Sequence, residues 1–171
     1  MIPELDRLRA RSCPRRQTLA WRSDRFHLLV ADAAGQPRMT ALLAAAPDGA
    51  RYRLLPDGAG LEQALSGAPI GTLLLAAGHE GFLQALHPLL WRAGLSQDVL
   101  QAECVGSTAR DVLCIHCQAV SRAERVIHAC SCGQILLVRD HFSVRMGLYQ
   151  GMPLDRDDPL IPVLSGVECG S

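Results

Sequence analysis

Cys114 and Cys117, followed by Cys130 and Cys132, constrain this chain more than any other feature. They are four of its seven cysteines. A tight turn carrying two thiolates leaves backbone N–H groups free to point at the sulfurs, and two such turns supply a tetrahedral site. C-I-H-C at 114–117 has ordinary ligand spacing. C-S-C at 130–132 is one residue shorter, so its side chains converge only on an unusual backbone, and Gly133 supplies the turn that allows it. The stretch 112–150 has too small a core to hold without a staple. The four thiols are therefore read as metal ligands. His128 or His116 replacing one thiol is the first alternative, and free or redox-active thiols the second. Four sulfurs suit zinc or a single iron. Zinc is favoured, because a rubredoxin-like iron site ordinarily has a glycine after both pairs and here only Cys132 does. A closed four-thiolate zinc site also leaves no open position for hydrolysis.

The rest of the composition bounds the setting. A chain of 171 residues makes one domain, or one domain and a small stapled module. With 49% hydrophobic residues but 4% aromatic, its core must be built from Leu, Ala and Val. Lys+Arg and Asp+Glu are both 17, so charge gives no argument for nucleic acid. No apolar run reaches the length of a membrane span, and the arginine-rich start is not a signal peptide. An odd number of cysteines at C-x-x-C spacing favours metal in a reducing compartment over a disulfide framework, which makes the cytoplasm the natural location.

Read in order, residues 1–20 form a flexible arginine-rich arm whose Arg15 and Arg16 are either solvated or set against an acidic partner. Residues 21–108 alternate between apolar runs and helical segments. FHLLVA at 26–31, Tyr52–Leu55, GTLLLA at 71–76 and Val99–Cys104 read as strands. Met39–Ala46, Leu61–Leu65 and Phe82–Arg92 read as helices, the last kinked or broken at Pro88. This alternation predicts a small parallel sheet with covering helices. Residues 109–152 are then a four-cysteine ribbon module with strands at 112–115, 126–128 and 135–138, and 153–171 an extended tail. Cys13, Cys104 and Cys169 are left over, Cys104 in a strand and the other two in flexible ends.

Arg139, Asp140, His141 and Phe142 form a dense polar constellation after a predicted strand. Asp140 and His141 are a possible acid/base pair. The plainer reading is an Arg–Asp salt bridge with His141 beside the knuckle. A docking edge extended by Tyr149 and Met146 is the third reading.

C-I-H-C, C-S-C-G, LLVRDHFS and R-M-G-L-Y-Q-G, spanning about Leu113 to Gly151, resemble the C-terminal domain of the DmmA-like family of dimethylamine monooxygenase components. That family more often has C-x-x-C in the second knuckle; here Ala129 stands where the third thiol normally lies. The resemblance implies a subunit of a multicomponent oxygenase that demethylates secondary methylamines. Haem, flavin and iron-sulfur groups would then sit on larger oxygenase and reductase subunits. A second resemblance links residues 71–106 to the last β-α-β of the nicotinamide domain of ferredoxin-reductase-type flavoproteins. Here Ala77 replaces the nucleotide-facing cysteine, Val105 replaces the terminal aromatic, and no G-x-G-x-x-G is present. Gly78, His79 and Glu80 are the candidates for a ligand at the strand ends.

Three functions follow. The first is an accessory, non-catalytic oxygenase subunit that uses a structural metal ribbon for assembly. The second is a one-electron carrier with iron in the sulfur site. The third, a free-standing ribbon regulator binding nucleic acid, is disfavoured by the zero net charge and the lack of a basic or aromatic stripe.

Overall fold

The computed structural model describes residue 14 and residues 16–56 and 58–169. The chain divides into two compact units, with the boundary between Ser107 and Thr108.

The first unit alternates strand and helix: β1 (Phe26–Ala31), α1 (Gln36–Ala44), β2 (Arg51–Pro56), α2 (Leu61–Ser66), β3 (Leu73–Gly78), α3 (Glu80–Arg92) and β4 (Leu100–Cys104). Its four strands are parallel, in the order β2-β1-β3-β4. β1 and β3 are buried along nearly their whole length, as the unbroken apolar runs require of strands covered on both faces. Alternate residues separate the two cores. Leu28, Val30, Leu74, Ala76 and Ala102 pack with α2 and α3, whereas Leu29, Ala31, Leu75 and Ala77 pack with α1, Leu19 and Trp21. The parallel α/β architecture read from the alternation is thus present.

The differences from expectation are local. α1 begins at Gln36, because Pro37 fits the first helical turn. α3 runs unbroken through Pro88. Burial of Leu83, Leu86 and Leu90 outweighs the loss of a single intrahelical hydrogen bond. Residues 16–20, expected in the flexible arm, are tied to β4. The Gln17 N–H donates to the Ala102 carbonyl at 2.8 Å, and the Leu19 and Ala20 amides donate to the side chains of Glu103 and Gln101. Cys13 and Arg15 lie outside the described residues.

The second unit is a five-stranded sheet made from β5 (Arg110–Cys114), β6 (Val120–Ala123), β7 (Ile127–Ala129), β8 (Ile135–Ser143) and β9 (Leu148–Leu154), in the order β6-β5-β9-β8-β7. All neighbours are antiparallel except β5 and β9. β6 lies in the polar stretch 118–125, where sequence periodicity showed no strand. Of its residues only Ala123 is buried. The tail is not simply extended. It forms the short helix α4 (Leu160–Leu164), then returns so that the Cys169 N–H meets the Glu124 carbonyl at 2.8 Å. Cys169 is 1% exposed, in a core with Val112, Ala123, Val138, Phe142 and Tyr149. No helix among the described residues is long and apolar enough to cross a membrane.

Candidate metal centre

Each cysteine pair sits at the turn of a hairpin. β5 ends in Cys114, and the chain turns through 115–119 before β6 pairs back, Leu113 opposite Val120. β7 ends at Ala129, and the chain turns through 130–134 before β8 pairs back, Ala129 opposite Ile135. The two turns close in the same way. The Cys114 N–H donates to the Ala119 carbonyl at 3.0 Å and the Gln118 N–H to the Cys114 carbonyl at 2.8 Å. In the shorter turn the Cys130 N–H donates to the Gln134 carbonyl and the Gly133 N–H to the Cys130 carbonyl, both at 2.9 Å. The residue after the second cysteine of each pair is left-handed: Gly133 at φ 85° and Gln118 at φ 62°. Gly133 takes this conformation without strain. Gln118 does not, and is the only non-glycine residue with positive φ among the described residues. The missing residue of C-x-C is therefore absorbed within a turn of unchanged plan.

β9 lies between β5 and β8 in the sheet and sets the distance between the hairpins. A Cβ on Gly151 would come within 2.8 Å of the Val112 side chain and 2.9 Å of that of Leu136. Glycine there allows the close approach, and the Ile115 N–H bonds the Gly151 carbonyl at 3.1 Å.

As a result the Sγ atoms of Cys114, Cys117, Cys130 and Cys132 all lie within 4.8 Å of one another. The Cys117 and Cys130 sulfurs are 3.7 Å apart. A tetrahedral ion with metal–sulfur bonds of about 2.3 Å has sulfur–sulfur edges of about 3.8 Å, so the donor set fits such an ion. Cys114 and Cys130 are buried over Leu136, while Cys117 and Cys132 face solvent. Backbone amides serve the sulfurs. The Cys132 N–H stabilises the Cys130 thiolate and, with the neighbouring thiols, brings Cys130 down to about 7. The Ala119 N–H acts the same way on Cys117, but the three surrounding thiols outweigh it and push Cys117 up to about 12.

The histidines stand apart from this set. His116 is exposed, and the His128 Nε2 is 2.9 Å from the Ser121 hydroxyl. Neither belongs to the converging group.

The docking candidates divide. Arg139 and His141 are exposed. Phe142 and Tyr149 are 7% and 3% exposed, their rings 5.0 Å apart edge to face. They are core residues rather than an open patch, because the register of β8 on β9 slips between Arg139 and Phe142 and turns Phe142 inward. Asp140 pairs with Arg110 at 3.0 Å, and the Arg110 guanidinium lies 4.3 Å over the Tyr149 ring. The salt bridge is present, but its arginine is Arg110, not the adjacent Arg139. His141 lies on the exposed side, and Asp140 pairs with Arg110.

Gly78, His79 and Glu80 lie where the strand order reverses, between the C-terminal ends of β1 and β3. The chain fills this place itself. Asp32 Oδ1 accepts from the Gly35 N–H at 2.9 Å, and Oδ2 from the His79 N–H at 3.0 Å. A Cβ on Gly78 would sit 2.6 Å from the Asp32 carboxyl carbon. The His79 ring accepts from the Phe82 N–H as the cap of α3, and Glu80 is held by Arg16 through two hydrogen bonds of 2.9 and 2.6 Å. A phosphate entering here would meet a carboxylate. The sequence signal was Asp32 itself, an acid where a phosphate loop carries glycine.

Residues 111–152 match the family described as "Dimethylamine monooxygenase subunit DmmA-like, C-terminal domain". No solved structure matches the chain. The heme-dependent oxidative N-demethylase delta subunit of Ectopseudomonas mendocina (strain ymp) is 36% identical over 149 residues, covering 78% of this chain and 82% of the relative. This similarity extends across both units, and by it the chain belongs to the family of that delta subunit.

Proposed function

We propose that this chain is an accessory, non-catalytic subunit of a multicomponent oxygenase that oxidatively demethylates dimethylamine or a similar secondary methylamine. In this reading Cys114, Cys117, Cys130 and Cys132 hold a structural zinc ion in a ribbon module. The observation that carries it is the convergence of four sulfurs at two hairpin turns in a chain whose relative is named as the delta subunit of an N-demethylase. Zinc bound there supplies a structural link and no redox chemistry. The chain's own part is mechanical. Cys114 and Cys130 fix the ion to the apolar floor at Leu136, and the Ala119 and Cys132 amides offset the thiolate charge.

Haem, flavin and iron-sulfur groups belong, on this reading, to larger oxygenase and reductase subunits, through which NAD(P)H electrons reach the reaction. Closure of the β1/β3 crevice by Asp32 supports a chain without its own nucleotide. The cytoplasm is the proposed setting, from the odd number of cysteines and their C-x-x-C spacing.

One observation favours a second reading, an electron carrier with a rubredoxin-like iron: Cys117 and Cys132 are exposed, so the site is open to a redox partner on one side. Metal analysis of the intact complex, resolved by polypeptide and paired with visible absorption, separates the two. Equimolar zinc without colour is expected. Iron with thiolate charge-transfer bands would establish the second reading, and a metal-free chain from a fully active complex would end both.

A further inference from the structure

The two edges of the four-stranded sheet are treated differently. The β4 edge is covered by residues 17–20, which reach it through backbone and side-chain hydrogen bonds. β2 is at the other edge and pairs only with β1 among the described strands. Arg51, Tyr52, Arg53 and Leu54 are all exposed, and within β2 only Leu55 is buried. A parallel edge strand leaves alternate N–H and C=O groups facing outward, a template for another strand.

The side chains on this edge sort by face. Arg51 and Arg53 point to the same side as Leu55, beyond the reach of the six-residue α2. Tyr52 and Leu54 point to the other side and are 46% and 40% exposed. Trp21 braces Tyr52, ring centroids 5.6 Å apart, and is itself fixed by its Nε1 donating to the Leu42 carbonyl at 2.9 Å. Arg22 is also exposed in the segment leading into β1, whose first residue, Phe26, is paired with Arg51, whereas Arg25 reaches the other way, to the Gly71 carbonyl next to β3. The acids nearest in sequence are Asp48 and Asp57, which flank β2, and Asp24, 3.3 Å from Arg25. With Arg25 and Asp24 paired to each other, Arg22, Arg51 and Arg53 stand against Asp48 and Asp57 in a chain of zero net charge.

Arginines alone would be explained as guards that keep an edge from pairing with itself. A guard does not account for a half-exposed tyrosine and leucine between them, with the tyrosine held by a fixed tryptophan. That combination of aromatic anchor, flanking arginines and open backbone fits a strand-addition surface. We propose that the β2 edge receives an extended acidic segment of a partner subunit, paired as an added strand. Its carboxylates meet Arg51 and Arg53, and an apolar side chain on the opposite face lies against Tyr52 and Leu54. The proposal rests on membership of an oxygenase complex, as proposed above, and adds the surface and the chemistry of the partner.

The test is capture of the other oxygenase subunits by the tagged full-length chain. Wild type must capture them; if it captures none, membership of the complex itself fails. Given capture, Arg51→Glu/Arg53→Glu is expected to lower retention at least tenfold and to make the remainder release at lower salt. Tyr52→Ser/Leu54→Ser is expected to lower retention without changing the salt dependence. The milder Arg51→Gln/Arg53→Gln pair serves if the reversal disturbs folding, as judged by thermal unfolding. Arg156→Glu, an exposed change in the second unit, is the control and should behave as wild type. Retention equal to wild type in both the Arg and the Tyr/Leu variants would overturn the proposal and leave the arginines as edge guards.

Discussion

Gln118 shows how a single residue carries the plan of the knuckle. It takes φ 62°, where the second turn has Gly133. A side chain in that region costs about 1–2 kcal/mol, part of which glycine returns through its freer unfolded state. Gln118→Gly is therefore expected to stabilise the second unit by about 1 kcal/mol, read as a higher melting temperature of the metal-loaded chain. A lower one would show that the glutamine side chain contributes a contact worth more than the strain. His87 is a second residue-scale case. It is 3% exposed on α3, its Nδ1 bonded to the Gln97 side chain, and burial holds it down to about 4. The folded form stays neutral where the unfolded form, near 6.5, takes up a proton. Stability attached to His87 is thus complete above about pH 6.5 and is lost as pH falls toward 4, amounting to about 2 kcal/mol by about pH 5. Urea melts at about pH 7 and about pH 5 should show this loss in wild type and not in His87→Gln. Equal losses in both would remove His87 from the account.

At the scale of elements, the C-terminal return has a structural role that its composition hides. Its prolines and the Asp155–Asp158 charge cluster read as a tail, yet Cys169 closes the core under Tyr149 and Phe142. Removing residues 160–171 should destabilise the second unit by about 2–3 kcal/mol through the lost core contacts and strand-like hydrogen bonds. In the intact, metal-loaded chain, Cys169 should resist a thiol reagent until the unit unfolds. Rapid labelling under native conditions would show that the return does not persist. The same logic separates β6 from its neighbours. Its residues are mostly exposed and gave no apolar pattern, and it exists because β5 and the first knuckle present a partner edge.

For the molecule as a whole, the two units rest on different sources of stability. The first has two apolar cores on either side of a parallel sheet. The second has a small core whose floor includes two of the four converging sulfurs. Strong chelation should therefore melt the second unit and leave the first folded, seen as one retained transition by calorimetry and retained helical circular dichroism. Loss of both units together, or of neither, would contradict a stapled module beside a self-sufficient one. At this scale the resemblance drawn from VRDHFS and LYQG and the delta-subunit relationship agree, since one lies within the second unit, at residues 111–152, and the other spans both.

The sequence by itself determined the elements whose cause is local: the apolar runs that become β1 and β3, the helical spacing of α3, and the paired cysteines with their glycine. Periodicity, chain stiffness and ligand spacing act over a few residues, so they can be read without knowing what lies opposite. Only the tertiary structure decided that Gln118 would take a glycine's conformation and that Arg110 rather than Arg139 would hold Asp140. It also decided that Phe142 and Tyr149 would face inward, that Asp32 would fill the crevice between β1 and β3, and that β2 would pair only with β1 among the described strands. Each of these depends on which distant groups are brought within a few ångströms, and that is set by how the strands register and pack.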